Sequence, residues 1–151
     1  MDKDLRRERK YLGTCIVLDA SALQGDVPGP QSICTELDVT AWMKILHIVH
    51  EKCWILTIPR EALGEIEKRL KALLATPFIS ELLRLFYEKN KLYIEEVGGV
   101  EGDEAYLALI AKLTNRCSEI IFVTCDRELR ERATTMFRNH TRIRIETPSR
   151  V

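Results

Sequence analysis

Asp19 and Asp126 each stand at the end of a short apolar run, Ile16-Val17-Leu18 and Ile121-Phe122-Val123-Thr124-Cys125. An aspartate at the carboxyl end of a buried strand lies where open α/β sheets keep their ligand crevice. Two of them, from opposite ends of the chain, point to a carboxylate cluster assembled by the fold. Crowded carboxylates repel unless a proton or a cation sits between them. Oxygen-only clusters suit hard divalent cations such as Mg²⁺ or Mn²⁺. Each aspartate also has a plainer use as a helix N-cap. The cap suits Asp126, which precedes helix-forming Arg127-Glu128-Leu129-Arg130, better than Asp19, whose following Gly25 and prolines allow only a short turn.

A third acid, Asp103, opens the amphipathic run Asp103-Glu104-Ala105-Tyr106-Leu107-Ala108-Leu109-Ile110. At about 100° per residue, Asp103 falls roughly 60° from the centre of the Tyr106, Leu109, Ile110 and Leu113 stripe, and Glu104 roughly 160° away. Asp103 therefore borders the buried face, while a first-turn acid favoured by the helix dipole is its plainer reading. The segment after Pro59 offers Glu61, Glu65 and Glu67. On the helical wheel Glu67 lies nearer the apolar stripe than Glu65, roughly 80° against 120°. No histidine or serine competes as a catalytic centre: His47, His50 and His140 show no spacing to a nucleophile, and Gly-x-Ser-x-Gly is absent. The glycines at 98, 99 and 102 do not make a phosphate loop, because Glu101 and Asp103 would repel the phosphate.

Rigid elements must position these side chains, and the sequence alternates short apolar runs with longer amphipathic stretches. Strands are expected at about 14–19, 54–58, 92–95, 120–124 and 142–146. Helices are expected at about 38–52, 59–75, 78–89, 101–115 and 127–137, with Pro59 in the first turn of the second. Gly25, Pro28, Gly29 and Pro30 break the chain into a loop after the first strand. Strands spaced by helices imply right-handed crossovers. The expected fold is one three-layer α/β/α domain over 14–151, with a mostly parallel sheet of four to five strands and a charged tail at 1–13.

The 151 residues suffice for one domain with a real core. No apolar run approaches the roughly 18 residues of a membrane span. The charged first ten residues have no apolar segment behind them, so a cytoplasmic location and no membrane partner are expected. The five cysteines show no Cys-x-x-Cys spacing and are odd in number, which argues against a zinc site and a disulfide framework. Cys15 and Cys125 are expected to be small buried hydrophobes. Lysine plus arginine balance aspartate plus glutamate at 23 each, so any nucleic-acid partner must be met by a local patch.

Together these segments resemble the PIN domain family of metal-dependent ribonucleases. Val17-Leu18-Asp19-Ala20-Ser21-Ala22-Leu23 is similar to the family's opening strand with its metal-site aspartate and small hydroxyl neighbour. Ile58-Pro59-Arg60-Glu61-Ala62-Leu63-Gly64-Glu65-Ile66 resembles the strand–Pro–helix segment carrying the family glutamate. That register selects Glu65, against the wheel, with Glu67 in reserve. Gly102 to Ala111 resembles the family's Asp-initiated helix, and Ile121 to Leu129 its strand, Thr, one variable residue and Asp. The resemblance runs from about 14 to 146.

It implies hydrolysis of single-stranded RNA, with Asp19, Glu65, Asp103 and Asp126 holding one or two Mg²⁺ or Mn²⁺ ions. Ser21 and Thr124 would line the site. Arg60, Arg127 and Arg130, with tail residues Arg6, Arg7, Arg9 and Lys10, are the candidate RNA contacts. Small standalone PIN domains include VapC-type toxins, which would bring an antitoxin protein and a homodimer, and others act in RNA processing. Both roles stay open, as does a silent RNA-binding or assembly module. An aspartate-based phosphoryl-transfer domain fits less well, because Ser21 stands where a haloacid-dehalogenase phosphatase wants its second Asp and Leu18 denies a receiver domain its acidic pair.

Overall fold

The computed structural model describes residues 13–23, 30–38, 41–74 and 92–151. One sheet of five parallel strands runs in the order β3-β2-β1-β4-β5. They are β1 (Gly13–Leu18), β2 (Ile55–Pro59), β3 (Leu92–Glu95), β4 (Cys117–Val123) and β5 (Ile143–Glu146). Central β1 buries Cys15 through Leu18 without alternation, and β4 buries Ile120 through Val123 likewise, as strands covered on both faces must. Edge strands β3 and β5, Leu-Tyr-Ile-Glu and Ile-Arg-Ile-Glu, alternate and are only half-buried.

Four α-helices lie among the described residues: α1 (Ala41–Lys52), α2 (Leu63–Leu74), α3 (Asp103–Leu113) and α4 (Arg127–Met136). The strand order takes the chain outward from β1 to β2 and β3, then back past β1 to β4 and β5. The result is a three-layer α/β/α fold. An ion pair from Arg132 to Glu104 ties α4 to α3. The core joins Ile45 and Val49 of α1, Leu109 and Ile110 of α3, and Leu129 of α4 to the sheet. No helix among the described residues is long and apolar enough to cross a membrane.

Most expected elements appear within a residue or three of their expected ends. The expected helix at 78–89, the loop residues 24–29 and the tail to residue 12 lie outside the described residues. Pro59 departs from expectation. It closes β2 in extended conformation (φ −68°, ψ 135°) and precedes a 3-10 turn, Arg60–Ala62, so the α-helix begins only at Leu63. The first helix also starts later than expected, because Asp38 ends a separate 3-10 turn at Glu36–Asp38. Its carboxylate, 3% exposed, accepts from Thr35 N (2.8 Å) and Thr35 Oγ1 (3.2 Å) on one oxygen and from Ser149 N (2.7 Å) on the other. A buried acid thus fastens the chain's last turn to the loop before α1.

Candidate metal centre

The strand order reverses direction at β1 and β4, so their carboxyl ends flank the topological switch point. Asp19 follows β1 there, and its N–H donates to Val123 O (2.9 Å), carrying the β1–β4 pairing one residue further. The side chain is 6% exposed. Its Oδ2 accepts from Ser21 Oγ (2.5 Å) and Thr124 Oγ1 (2.7 Å). Each hydroxyl also accepts a backbone N–H, Ser21 Oγ from Cys125 (3.0 Å) and Thr124 Oγ1 from Asp126 (3.1 Å). With both hydroxyl protons committed to Asp19, the 3.3 Å approach of Ser21 Oγ to Thr124 Oγ1 is a contact between two acceptors. Oδ2 is therefore held by both hydroxyls, and the Ser21 backbone N–H also acts on the carboxylate.

Asp126 is a helix cap placed at the switch point. Its extended backbone (φ −84°, ψ 117°) starts α4, and Oδ1 accepts from Leu129 N (3.1 Å), the N-cap bond the sequence allows. Asp103 begins α3 after Gly102, whose φ of 62° and ψ of −141° suit only a residue without Cβ. Asp103 is half-buried and Glu104 exposed, as the helical wheel requires.

The electrostatics join the three aspartates. Burial pushes the Asp19 carboxyl above its ordinary range, the Ser21 and Thr124 bonds oppose this, and the Asp126 charge adds to the rise. Burial also raises Asp103, reinforced by Asp126 and then Asp19, against a smaller pull from Arg132. Asp19 and Asp103 therefore hold a proton more readily than free carboxylates do.

Tyr106, assigned from periodicity to the apolar stripe, has a second role. Its ring is buried beside Phe122 (centroids 6.1 Å apart), but its hydroxyl oxygen accepts from Ala20 N (3.2 Å), immediately after Asp19. Burial first, then the charges of Asp19, Glu65 and Asp103, push the phenol far above its ordinary value. It stays a neutral donor, and its proton has no acceptor among the described residues. The position i+3 from Asp103 was the one available sequence signal.

Glu65 lies in the first turn of α2, exposed, on the helix that packs against the Ala20–Leu23 turn; its charge reaches Tyr106. Glu67 is exposed on the same helix. Glu61 has a different task, accepting from Val97 N (3.2 Å) and Gly99 N (2.6 Å) and so fixing the turn after β3, where Gly98 and Gly99 have φ of 80° and 79°. Among the described residues no three His, Cys, Asp or Glu side chains are grouped to hold a metal ion. The donor set still fits Mg²⁺ in the mode that ion favours, one or two carboxylates with retained waters.

The cationic residues divide. Arg60 is exposed in the 3-10 turn before α2. Arg127 and Arg130 line an open cleft of about 420 Å³ along α4, with Ile33, Glu131, Thr134 and Thr135. The tail residues Arg6, Arg7, Arg9 and Lys10 lie outside the described residues.

The cysteines depart from expectation. Cys34 and Cys125 form a disulfide across 91 residues, so Cys125 is not an inert buried thiol. Spacing could not reveal it, because the fold creates the proximity: Ser32 and Asp126 form an antiparallel bridge that lays residues 31–34 along the end of β4. The odd count leaves Cys15, Cys53 and Cys117 as free thiols. No family model, no curated protein and no solved structure matches this chain.

Proposed function

We propose that this protein is a divalent-metal-dependent phosphodiesterase of the PIN type, cutting single-stranded RNA. One observation carries the reading: Asp19, Asp103 and Asp126 lie close enough at the switch point that, beyond the effect of burial, the Asp126 charge makes Asp19 and Asp103 harder to ionise. Bound Mg²⁺ or Mn²⁺ would supply an activated water and charge stabilisation at the phosphoryl oxygens. Asp19 would hold it through Oδ1, with Oδ2 kept in place by Ser21 and Thr124. Asp103, Asp126 and Glu65 would complete the shell directly or through waters. Tyr106 offers its neutral O–H to water or phosphate oxygen at the same place. Arg127 and Arg130 would hold the strand beside the acids.

Asp126→Asn gives the sharpest test, because Asn caps a helix as well as Asp does. The variant should keep the stability of the parent and lose Mn²⁺-dependent cleavage of a labelled single-stranded RNA by about a thousand-fold. Full activity in Asp126→Asn would leave Asp126 as a cap alone and overturn the site. A silent RNA-binding module draws on the absence of a three-ligand group among the described residues. Metal-independent RNA binding without cleavage in the parent protein would favour it.

The cationic cleft makes a separate prediction. Arg127→Ala and Arg130→Ala should each flatten the plot of log affinity against log salt by about 0.7 for single-stranded RNA. Fluorescence anisotropy across a salt series reads this slope. An unchanged slope in both variants would place the RNA elsewhere.

A further inference from the structure

Cys125 sits between two residues of the carboxylate site. Thr124 before it holds Asp19, Asp126 after it belongs to the cluster, and its own N–H donates to Ser21 Oγ at 3.0 Å. Its sulfur is bonded to Cys34. The Cys34 segment is otherwise lightly attached at this point. Arg127 N–H donates to Gln31 O (2.9 Å) and Ile33 N–H donates to Cys125 O (2.9 Å), forming one isolated bridge rather than a strand. Ile33 then forms a wall of the cleft that contains Arg127 and Arg130.

A disulfide placed here does little that the core requires. The domain already has a five-stranded sheet buried on both faces, whereas structural disulfides serve chiefly small domains with insufficient cores. The other adjacent pair, Cys15 of β1 and Cys117 of β4, is buried within the sheet and remains as two thiols. The oxidised pair is the one at the site's rim, with Cys34 half-buried and therefore within reach of a small reductant.

We infer that the Cys34–Cys125 disulfide is a redox-controlled fastening: oxidised, it holds residues 31–34 beside Asp126 and keeps the cleft wall in place; reduced by a dithiol, it releases them. In the step, a thiolate of the dithiol attacks Cys34 Sγ, the Sγ–Sγ bond breaks, and Cys125 leaves as a thiolate that takes up a proton. The dithiol's second sulfur then displaces Cys34, which also takes up a proton. The protein gains two electrons and two protons as the dithiol becomes a disulfide. Only the consequence for RNA rests on the nuclease reading.

The experiment uses the full chain carrying Cys53→Ser, which removes the exposed thiol, with and without dithiothreitol. Thiol titration in denaturant should find two free thiols before reduction and four after it; four in the oxidised sample would overturn the inference. On reduction the Ile33 and Arg127 amides should exchange at least about tenfold faster, while Ile16 and Ile121 in the central strands keep their protection. Reoxidation should restore the slow rates, and Cys34→Ser should show the fast ones with or without dithiol. Equal protection in both states overturns the inference, as does loss of protection throughout the sheet, which would mark a global staple. Single-stranded RNA binding should weaken about fivefold on reduction. Altered exchange without RNA binding would leave the fastening standing and count against the nuclease reading alone.

Discussion

Asp19→Asn should abolish Mn²⁺-dependent RNA cleavage and, at neutral pH, raise the melting temperature. The amide oxygen of Asn can still accept from Ser21 Oγ and Thr124 Oγ1, so the network that positions residue 19 survives. What disappears is a buried negative charge facing Asp126 and Asp103. Because the folded-state pKa of Asp19 lies above its unfolded value, the folded protein binds more protons between the two. Its contribution to stability is fully present below the unfolded pKa and is lost as pH rises through the folded one. Neutral pH is thus the condition under which the charge costs most, and the variant should show a weaker decline of stability with pH. Activity should fall by about a thousand-fold, the scale of several kcal/mol of lost metal-based stabilisation. Metal adds an independent readout. Mn²⁺ at a hundred times its dissociation constant should stabilise the parent by about 2.7 kcal/mol and leave Asp19→Asn unmoved. A variant that still cleaves, or that melts lower than the parent, would show that Asp19 is a structural residue.

Asp38→Ala should have the opposite sign and the largest effect on folding. Three donors converge on this carboxylate, two from Thr35 and one from Ser149. Hydrogen bonds to charged groups are worth more than neutral ones, and truncation takes the partner from the part-buried N–H groups of Thr35 and Ser149. A loss of about 3 kcal/mol is expected, or about 6 to 12 °C in melting temperature for a domain of this size. Burial pushes the Asp38 carboxyl upward, but the bonds from Ser149 and Thr35 outweigh it and hold the group below its ordinary value. Its contribution is therefore present above the unfolded carboxylate pKa and lost as pH falls through the folded one. Asp38→Ala should unfold at a higher pH than the parent in an acid titration followed by circular dichroism. A variant with unchanged stability and unchanged acid midpoint would remove the fastening role.

Fold class was legible because parallel strands buried on both faces read as continuous apolar runs, and Ile16 to Leu18 and Ile120 to Val123 are such runs. The rim position of Asp103 was legible too, since helical periodicity fixes the angle between a residue and the apolar stripe. What stayed hidden depends on contacts distant in sequence. Asp38 looked like the start of a helix because its partner Ser149 lies at the far end of the chain. Cys34 and Cys125 gave no spacing signal because an isolated backbone bridge brings them together. Tyr106 read as core because its ring is core; only its hydroxyl reaches the site. Glu61 and Glu65 share one short segment, and periodicity could not assign the first to the turn after β3.

The central position of β1 has a consequence for synthesis. Although β1 precedes the other described strands, one of its sides is completed late: Ile16 pairs with Ile121, so that side waits for more than a hundred residues. Asp19 meets Thr124 and Asp126 only after that pairing forms. No nascent fragment ending before β4 brings Asp19 together with Thr124 and Asp126. The same delay leaves an apolar strand edge unpaired during translation, so β1 depends on protection from aggregation until β4 has been made.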